Sequence, residues 1–331
     1  MLFGFDENKK LVKASTTQKE RTIYCPDCGE RLICKVGMIK IPHFSHLKNS
    51  QCCSFSEGES AEHLAYKEGF QKWGRIFEED WEMEAILPEI PQRPDLLSQK
   101  LVIEVQCSPL KISRLVERIA GYHKYQYEDW WLLGPKLTPE KKLTQLQKAF
   151  CSFSSDKGLH LWLVNQQGVF LYYFLREING ALFADRHQWM PYSVSLKEIY
   201  QTSFQNQQPL IHLRKTDASN WKKRLNQQLI KKDPYILRLQ KYFYQAKTHL
   251  LYLPEWFYWP SWYFIFYQAD ILLFRYLVQE ISEYSIVMEV FKKYLLDEKI
   301  LWGFPRIKQQ EILDKLWQES IFLLKKSEKS I

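Results

Sequence analysis

The stretch RPDLLSQKLVIEVQC, residues 93–107, constrains the fold of this chain more than any other. Residues 101–107 are rich in Val, Ile and Leu and read as a buried strand, yet Glu104 stands in their midst. Asp95 lies just across the short polar break SQK. A tight turn at Gln99 and Lys100 sets Asp95 opposite Glu104 across a hairpin. Directly opposed side chains have their Cβ atoms about 4.5–5.5 Å apart, and like charges there destabilise a sheet. Gln106, two residues on, projects to the same face. Two anions side by side in a half-buried sheet call for something positive between them. A hard divalent cation such as Mg²⁺ suits carboxylate oxygens. The alternative is an exposed edge strand whose two acids are solvated.

The flanking segments supply more chemistry. SEGESAEHLAYKEGFQKW predicts a helix over 59–74, capped by Ser56 or Ser60, with Glu59 and Glu62 at its start. From there either acid can reach the edge of a neighbouring sheet. His63, Tyr66, Phe70, Trp73 and Phe77 fall along one face, and WEMEAIL (81–87) alternates as a strand. After the hairpin, a helix from Ser108 or Pro109 to about Tyr125 carries Arg114, Arg118 and Tyr122 at four-residue spacing. That face can clamp phosphates, or it is a solvated basic face with a packing tyrosine. DWWLLG predicts the next parallel strand, with Trp130 and Trp131 in the core.

A second cluster lies near the N-terminus. Cys25 and Cys28 in YCPDCGE form a knuckle behind which Gly29 lets the backbone turn, and His43, His46, Cys52 and Cys53 follow. Tetrahedral zinc takes four Cys or His ligands. Six candidates compete for four places. The favoured set is Cys25, Cys28, His46 and one of Cys52 or Cys53, with His43 as the substitute. The site is expected to be structural, because a small segment with few large apolar residues needs a staple.

In order, CPDC…HFSH, ESAEHLAYK, RPDLL, IEVQCSPL and WWLLG resemble the competence protein CoiA family, within the PD-(D/E)xK nuclease superfamily. The likeness is strong over residues 15–135 and only general in the aromatic C-terminal half. It implies a metal-dependent phosphodiesterase-like core acting on DNA in bacteria that take up transforming DNA, alongside a RecA-type recombinase. By position, Asp95 and Glu104 would hold Mg²⁺ or Mn²⁺, with Glu59 or Glu62 completing the site. Gln106 stands where the superfamily usually has lysine. A neutral amide supplies no positive charge, although it can orient a water. The rival reading is therefore a non-catalytic accessory that grips DNA or a recombinase.

Composition sets the rest. The net charge of +8 is concentrated: residues 211–250 hold ten Lys or Arg, including Lys222, Lys223 and Arg224, against Asp217 and Asp233. Aromatics interleave with these cations, a pattern that suits single-stranded DNA or, equally, a basic-faced helix pair with an aromatic core. The run WFYWPSWYFIFY is broken by Pro260 and Ser261 and too short to span a bilayer. The first residues show no secretion signal, and seven cysteines fit a reducing cytoplasm better than a disulfide framework. No helix-turn-helix pattern is evident. The expected architecture is α+β and multidomain: a zinc module over 1–57, a restriction-endonuclease-like α/β core over 58–135, a connecting region over 136–203, and a helical basic and aromatic domain over 204–331.

Overall fold

The computed structural model describes residues 1–331 except 18–20, 27, 38–40, 48–49, 51, 53–59, 88, 91, 179, 205–214 and 330–331. The chain is α+β and separates into two compact units of interleaved sequence. The first holds Met1–Thr138, Leu161–Tyr172 and Arg186–Ser203; the second holds Pro139–His160, Tyr173–Asp185 and Phe204–Ile331. Residues 1–57 and 58–135 thus share one unit, and the stretch read as a connecting region is divided between the two.

The first unit opens with short antiparallel strands: β1 (Phe3–Phe5), β2 (Leu11–Lys13), β3 (Ile23–Tyr24), β4 (Arg31–Lys35) and β5 (His43–Ser45), in the order β2-β1-β3-β4-β5. Their core is small, built from Met1, Ala14, Ile23, Cys25, Leu32 and Phe44. Helix α1 (Ala61–Ile76) follows, with the Ser60 hydroxyl accepting from the His63 N–H at 3.1 Å. Ser56, the other candidate cap, lies outside the described residues. Leu64, Lys67, Phe70, Trp73 and Gly74 form its buried face. A Cβ at Gly74 would sit 2.1 Å from the Trp81 ring, so only glycine lets the helix pack this closely there.

Next come β6 (Glu82–Met83), β7 (Leu96–Ser98), β8 (Leu101–Gln106), α2 (Ile112–Lys124) and β9 (Glu128–Leu133). The expected strand over 81–87 shrinks to two residues because Glu84 takes a left-handed φ of 52° and turns its carboxylate onto the Leu2 and Phe3 amides. β7 and β8 form the expected hairpin, pairing Leu96 with Ile103 and Ser98 with Leu101, with Gln99 at a φ of 56° in the turn. β9 runs parallel to β8, and Trp130 and Trp131 are buried.

Helix α3 (Gln145–Phe150) follows, capped by a Thr144–Gln147 box. Then come β10 (Ser152–Ser154), β11 (Gly158–Asn165), β12 (Gly168–Ile178), β13 (Ala181–Trp189) and α4 (Leu196–Gln201). The larger sheet has the order β13-β12-β11-β9-β8-β7-β6, with β10 beside β11. β13 is half exposed, and its sequence ALFADRHQW lacks the apolar run that marks its neighbours.

In the second unit, His160 on β11 is buried, and its Nδ1–H donates to the Gly158 carbonyl at 2.9 Å. Burial pushes its pKa down to about 4. The imidazole is neutral in the fold and protonates more readily once unfolded, so stability is lost as pH falls through the unfolded value near 6.5. Roughly 2 kcal/mol should go between pH 7.5 and 5 by linkage. Urea melts across that range check this, and His160→Gln should flatten the dependence.

The remainder of this unit is helical: α5 (Lys215–Ile230), α6 (Pro234–Gln245), α7 (Phe264–Tyr267), α8 (Asp270–Ile281), α9 (Tyr284–Asp297) and α10 (Gln309–Glu328). The aromatic run before α8 is mostly core. Trp256, Phe257, Tyr258, Tyr263 and Tyr267 are buried, and the fully buried Arg275 guanidinium donates to the carbonyls of Trp256, Phe257 and Trp259 and to Glu319. Among the described residues, no helix is long and apolar enough to cross a membrane.

Candidate functional site

The hairpin turn sets Asp95, the residue before β7, alongside Glu104 in mid-β8, both buried. Each acid is held by a different helix. Asp95 Oδ2 accepts from the Val105 N–H and from His63 Nε2, both at 2.8 Å, while Lys67 Nζ stands 3.5 Å from Oδ1. His63 and Lys67 lie one turn apart on α1. Glu104 Oε1 accepts from the Arg118 guanidinium and the Tyr122 hydroxyl, both on α2.

The two acids end up electrostatically unlike. Burial pushes both upward. For Asp95 the charges of His63 and Lys67 outweigh burial and hold it near 2. For Glu104 burial and the neighbouring Asp95 charge prevail over Arg118 and Tyr122, and it rises to about 7. Asp95 is thus held as a carboxylate beside a Glu104 that burial, and Asp95 itself, push toward its protonated form.

Lys67 belongs to a further buried group. Its Nζ is 2.5 Å from Glu84 Oε1, and Glu84 also accepts from the Leu2 N–H at 2.7 Å and the Arg93 guanidinium at 3.4 Å. With 1% of its surface exposed, Lys67 is a cation committed to carboxylates on two sides. Sequence reading passed over Lys67, Glu84 and Arg93, and took His63 only as part of an apolar face. The available signal was the spacing of His63 and Lys67, four residues apart within that face.

Gln106 is buried, and its Nε2 donates to the Ser108 carbonyl at 2.7 Å. That leaves the amide oxygen, an acceptor, to meet a water. Glu62, in the first turn of α1, acts with Asp95 on the Cys107 thiol just beyond β8, which burial first of all pushes up to about 12. Glu62 therefore stands at the margin of the site; Glu59 lies outside the described residues. Arg118 faces Glu104 and lies over the Trp131 ring, whereas Arg114 pairs with Glu117 at the surface. The predicted Lys222, Lys223 and Arg224 point three ways around α5: Lys222 over the Tyr258 ring, Lys223 to solvent, Arg224 against Gly180. Successive helical residues are about 100° apart, so the three do not make one patch.

In the small N-terminal sheet, the ligand atoms of Cys25, Cys28, His46 and Cys52 lie within 4.8 Å of one another, and Cys28 Sγ is 3.4 Å from His46 Nε2. Three thiolates and an imidazole are a soft donor set that fits tetrahedral zinc. His43 falls outside the group: it is buried on β5, with Nδ1 against the Ile41 carbonyl. Cys53 lies outside the described residues. Cys25→Ser is expected to abolish bound zinc, from one equivalent to none, while His43→Ala retains it; metal analysis of the purified variants checks both.

Comparison with known proteins agrees with this order of parts. Residues 6–55 match the family described as competence protein CoiA, N-terminal domain, and residues 59–208 its nuclease-like domain. Competence protein CoiA of Bacillus subtilis (strain 168) is 29% identical over 168 residues, which cover 50% of this chain and 41% of that protein. No solved structure matches the chain. With the N-terminal and nuclease-like domains following each other in register with the cysteine cluster and the acid pair, the chain belongs to the competence protein CoiA family.

Proposed function

We propose that this chain is a divalent-metal-dependent deoxyribonuclease with a restriction-endonuclease-like core. It acts in the cytoplasm on single-stranded DNA taken up during transformation, alongside a RecA-type recombinase. The observation that carries this reading is the buried pair Asp95 and Glu104, set side by side across the hairpin. Glu104 Oε2 takes no hydrogen bond among the described residues, and the pair offers hard oxygen donors that suit Mg²⁺ or Mn²⁺ with water filling the remaining positions. When bound, the ion would act as a Lewis acid on a phosphoryl oxygen and lower the pKa of a coordinated water.

The chain's own residues do the positioning. Arg118 and Tyr122 fix Glu104; His63 and the Val105 N–H fix Asp95. Lys67 brings to the acid pair the positive charge that Gln106 cannot, and the Gln106 amide oxygen would orient a water by accepting a hydrogen bond from it. Zinc at Cys25, Cys28, His46 and Cys52 has a structural role, closing a sheet whose own core is small.

One observation favours the rival reading of a DNA- and recombinase-binding accessory: both acids already face protein cations, His63 and Lys67 for Asp95 and Arg118 for Glu104. Purified chain incubated with end-labelled single-stranded, duplex and branched DNA, with and without added Mn²⁺ or Mg²⁺, separates the two. Metal-dependent cleavage supports the nuclease. Tight binding with no cleavage under either metal sinks it in favour of the accessory.

A further inference from the structure

We infer that the C-terminal end of α6 and the turn after it, in the second unit, form a stacking platform for an unpaired nucleic-acid strand. The inference rests on the single-stranded DNA reading above and assigns it a surface. Lys247, at a φ of 56°, turns the chain back after α6, and the Tyr252 N–H closes a second turn onto the His249 carbonyl at 2.9 Å. Three rings are thereby brought into one run: Tyr244 to His249 at 5.7 Å between centroids, His249 to Tyr252 at 5.0 Å. Tyr244 is 61% exposed and Tyr252 82%, where most aromatics of this unit are buried.

The run is held rigid from beneath. Leu250, fully buried, donates its N–H to Gln240 Oε1 at 3.0 Å and accepts from the Tyr258 hydroxyl at 2.6 Å. His249 Nδ1 accepts from the Leu251 N–H at 3.0 Å, which fixes the ring and leaves its proton on Nε2. A central ring fixed in advance loses little entropy when a ligand settles on it.

Charge names the ligand. Residues 234–254 contain Arg238, Lys241 and Lys247 and no acid. Arg238 turns to Asp270 and Glu298, whereas Lys241 and Lys247 are exposed and flank Tyr244 three residues away on either side in sequence. Exposed aromatic faces flanked by lysines match alternating bases and phosphates, and only an unpaired strand presents base faces to stack. The core of a protein–protein interface is instead depleted in lysine.

The test is a fluorescence-anisotropy titration of the full chain with labelled oligo(dT), with no Mg²⁺ or Mn²⁺ added, so that zinc stays in place and cleavage is not read. Replacing both rings, Tyr244→Ala with Tyr252→Ala, is expected to weaken binding at least tenfold. The matching Phe pair should stay within twofold of the parent chain, since stacking uses ring faces and not hydroxyls. Lys241→Gln with Lys247→Gln should reduce the dependence of binding on salt. Unchanged binding by the Ala pair overturns the inference, as does equal loss in the Phe pair, or duplex of the same length binding as tightly as the single strand. A chain that binds through these rings but never cleaves refutes only the nuclease; one that cleaves and binds unchanged without them refutes only the platform.

Discussion

Asp95→Asn is expected to lose metal-dependent DNA cleavage by about a thousandfold, ~4 kcal/mol of transition-state stabilisation. The asparagine oxygen still accepts from the Val105 N–H, so the hairpin keeps its register while the charge that would hold the metal is gone. Glu104→Gln is the sharper variant. Its amide oxygen still accepts from Arg118 and Tyr122, so the side chain stays in place without its charge. Residues that share one ion act as a unit, so the double variant should be little worse than either single one. Initial rates of cleavage at saturating Mn²⁺, measured well below the melting temperature, check all three. A single-variant loss under tenfold would refute the shared-metal role.

Lys67→Met should lower the stability of the chain by about 3 kcal/mol, because removing one partner of a buried ion pair leaves the other charge uncompensated. Glu84 retains Arg93 and the two backbone amides of Leu2 and Phe3, which places the cost toward the lower end of the usual range. Asp95 loses one of the two neighbours, His63 and Lys67, that hold its carboxyl low, so its affinity for a proton rises. Urea denaturation of the variant against the parent chain measures the first effect. A loss below 1 kcal/mol would mean that the Glu84–Lys67–Asp95 group is not the closed network described above.

Much of the first unit could be read from the chain. The polar break SQK between two apolar runs set the hairpin register, because a two-residue turn leaves only one way to oppose the strands, even though Gln99 must take a left-handed φ without the usual Asn-Gly. A serine cap at Ser56 or Ser60 followed from local chemistry, and Ser60 takes that place; the Cys25–Cys28 knuckle was legible in the same way. Local readings failed where a distant partner outweighed propensity. WEMEAIL alternates like a strand, but the Glu84 carboxylate bonds to amides more than eighty residues away in sequence, and the strand stops after two residues.

The chain alone pointed to two acids and a glutamine on one face of a hairpin, with a cysteine knuckle before them, whereas the burial of both faces of β8 came from the fold. The former depend on strand alternation, turn length and residue type, all of which are local. Folding chose the groups that face the acids, His63 and Lys67 for Asp95 and Arg118 for Glu104, and brought Cys52 to the Cys25, Cys28 and His46 cluster. Those partners sit on separate elements, and only packing brings them together, since burial in a low dielectric is what makes the identity of each neighbouring charge matter.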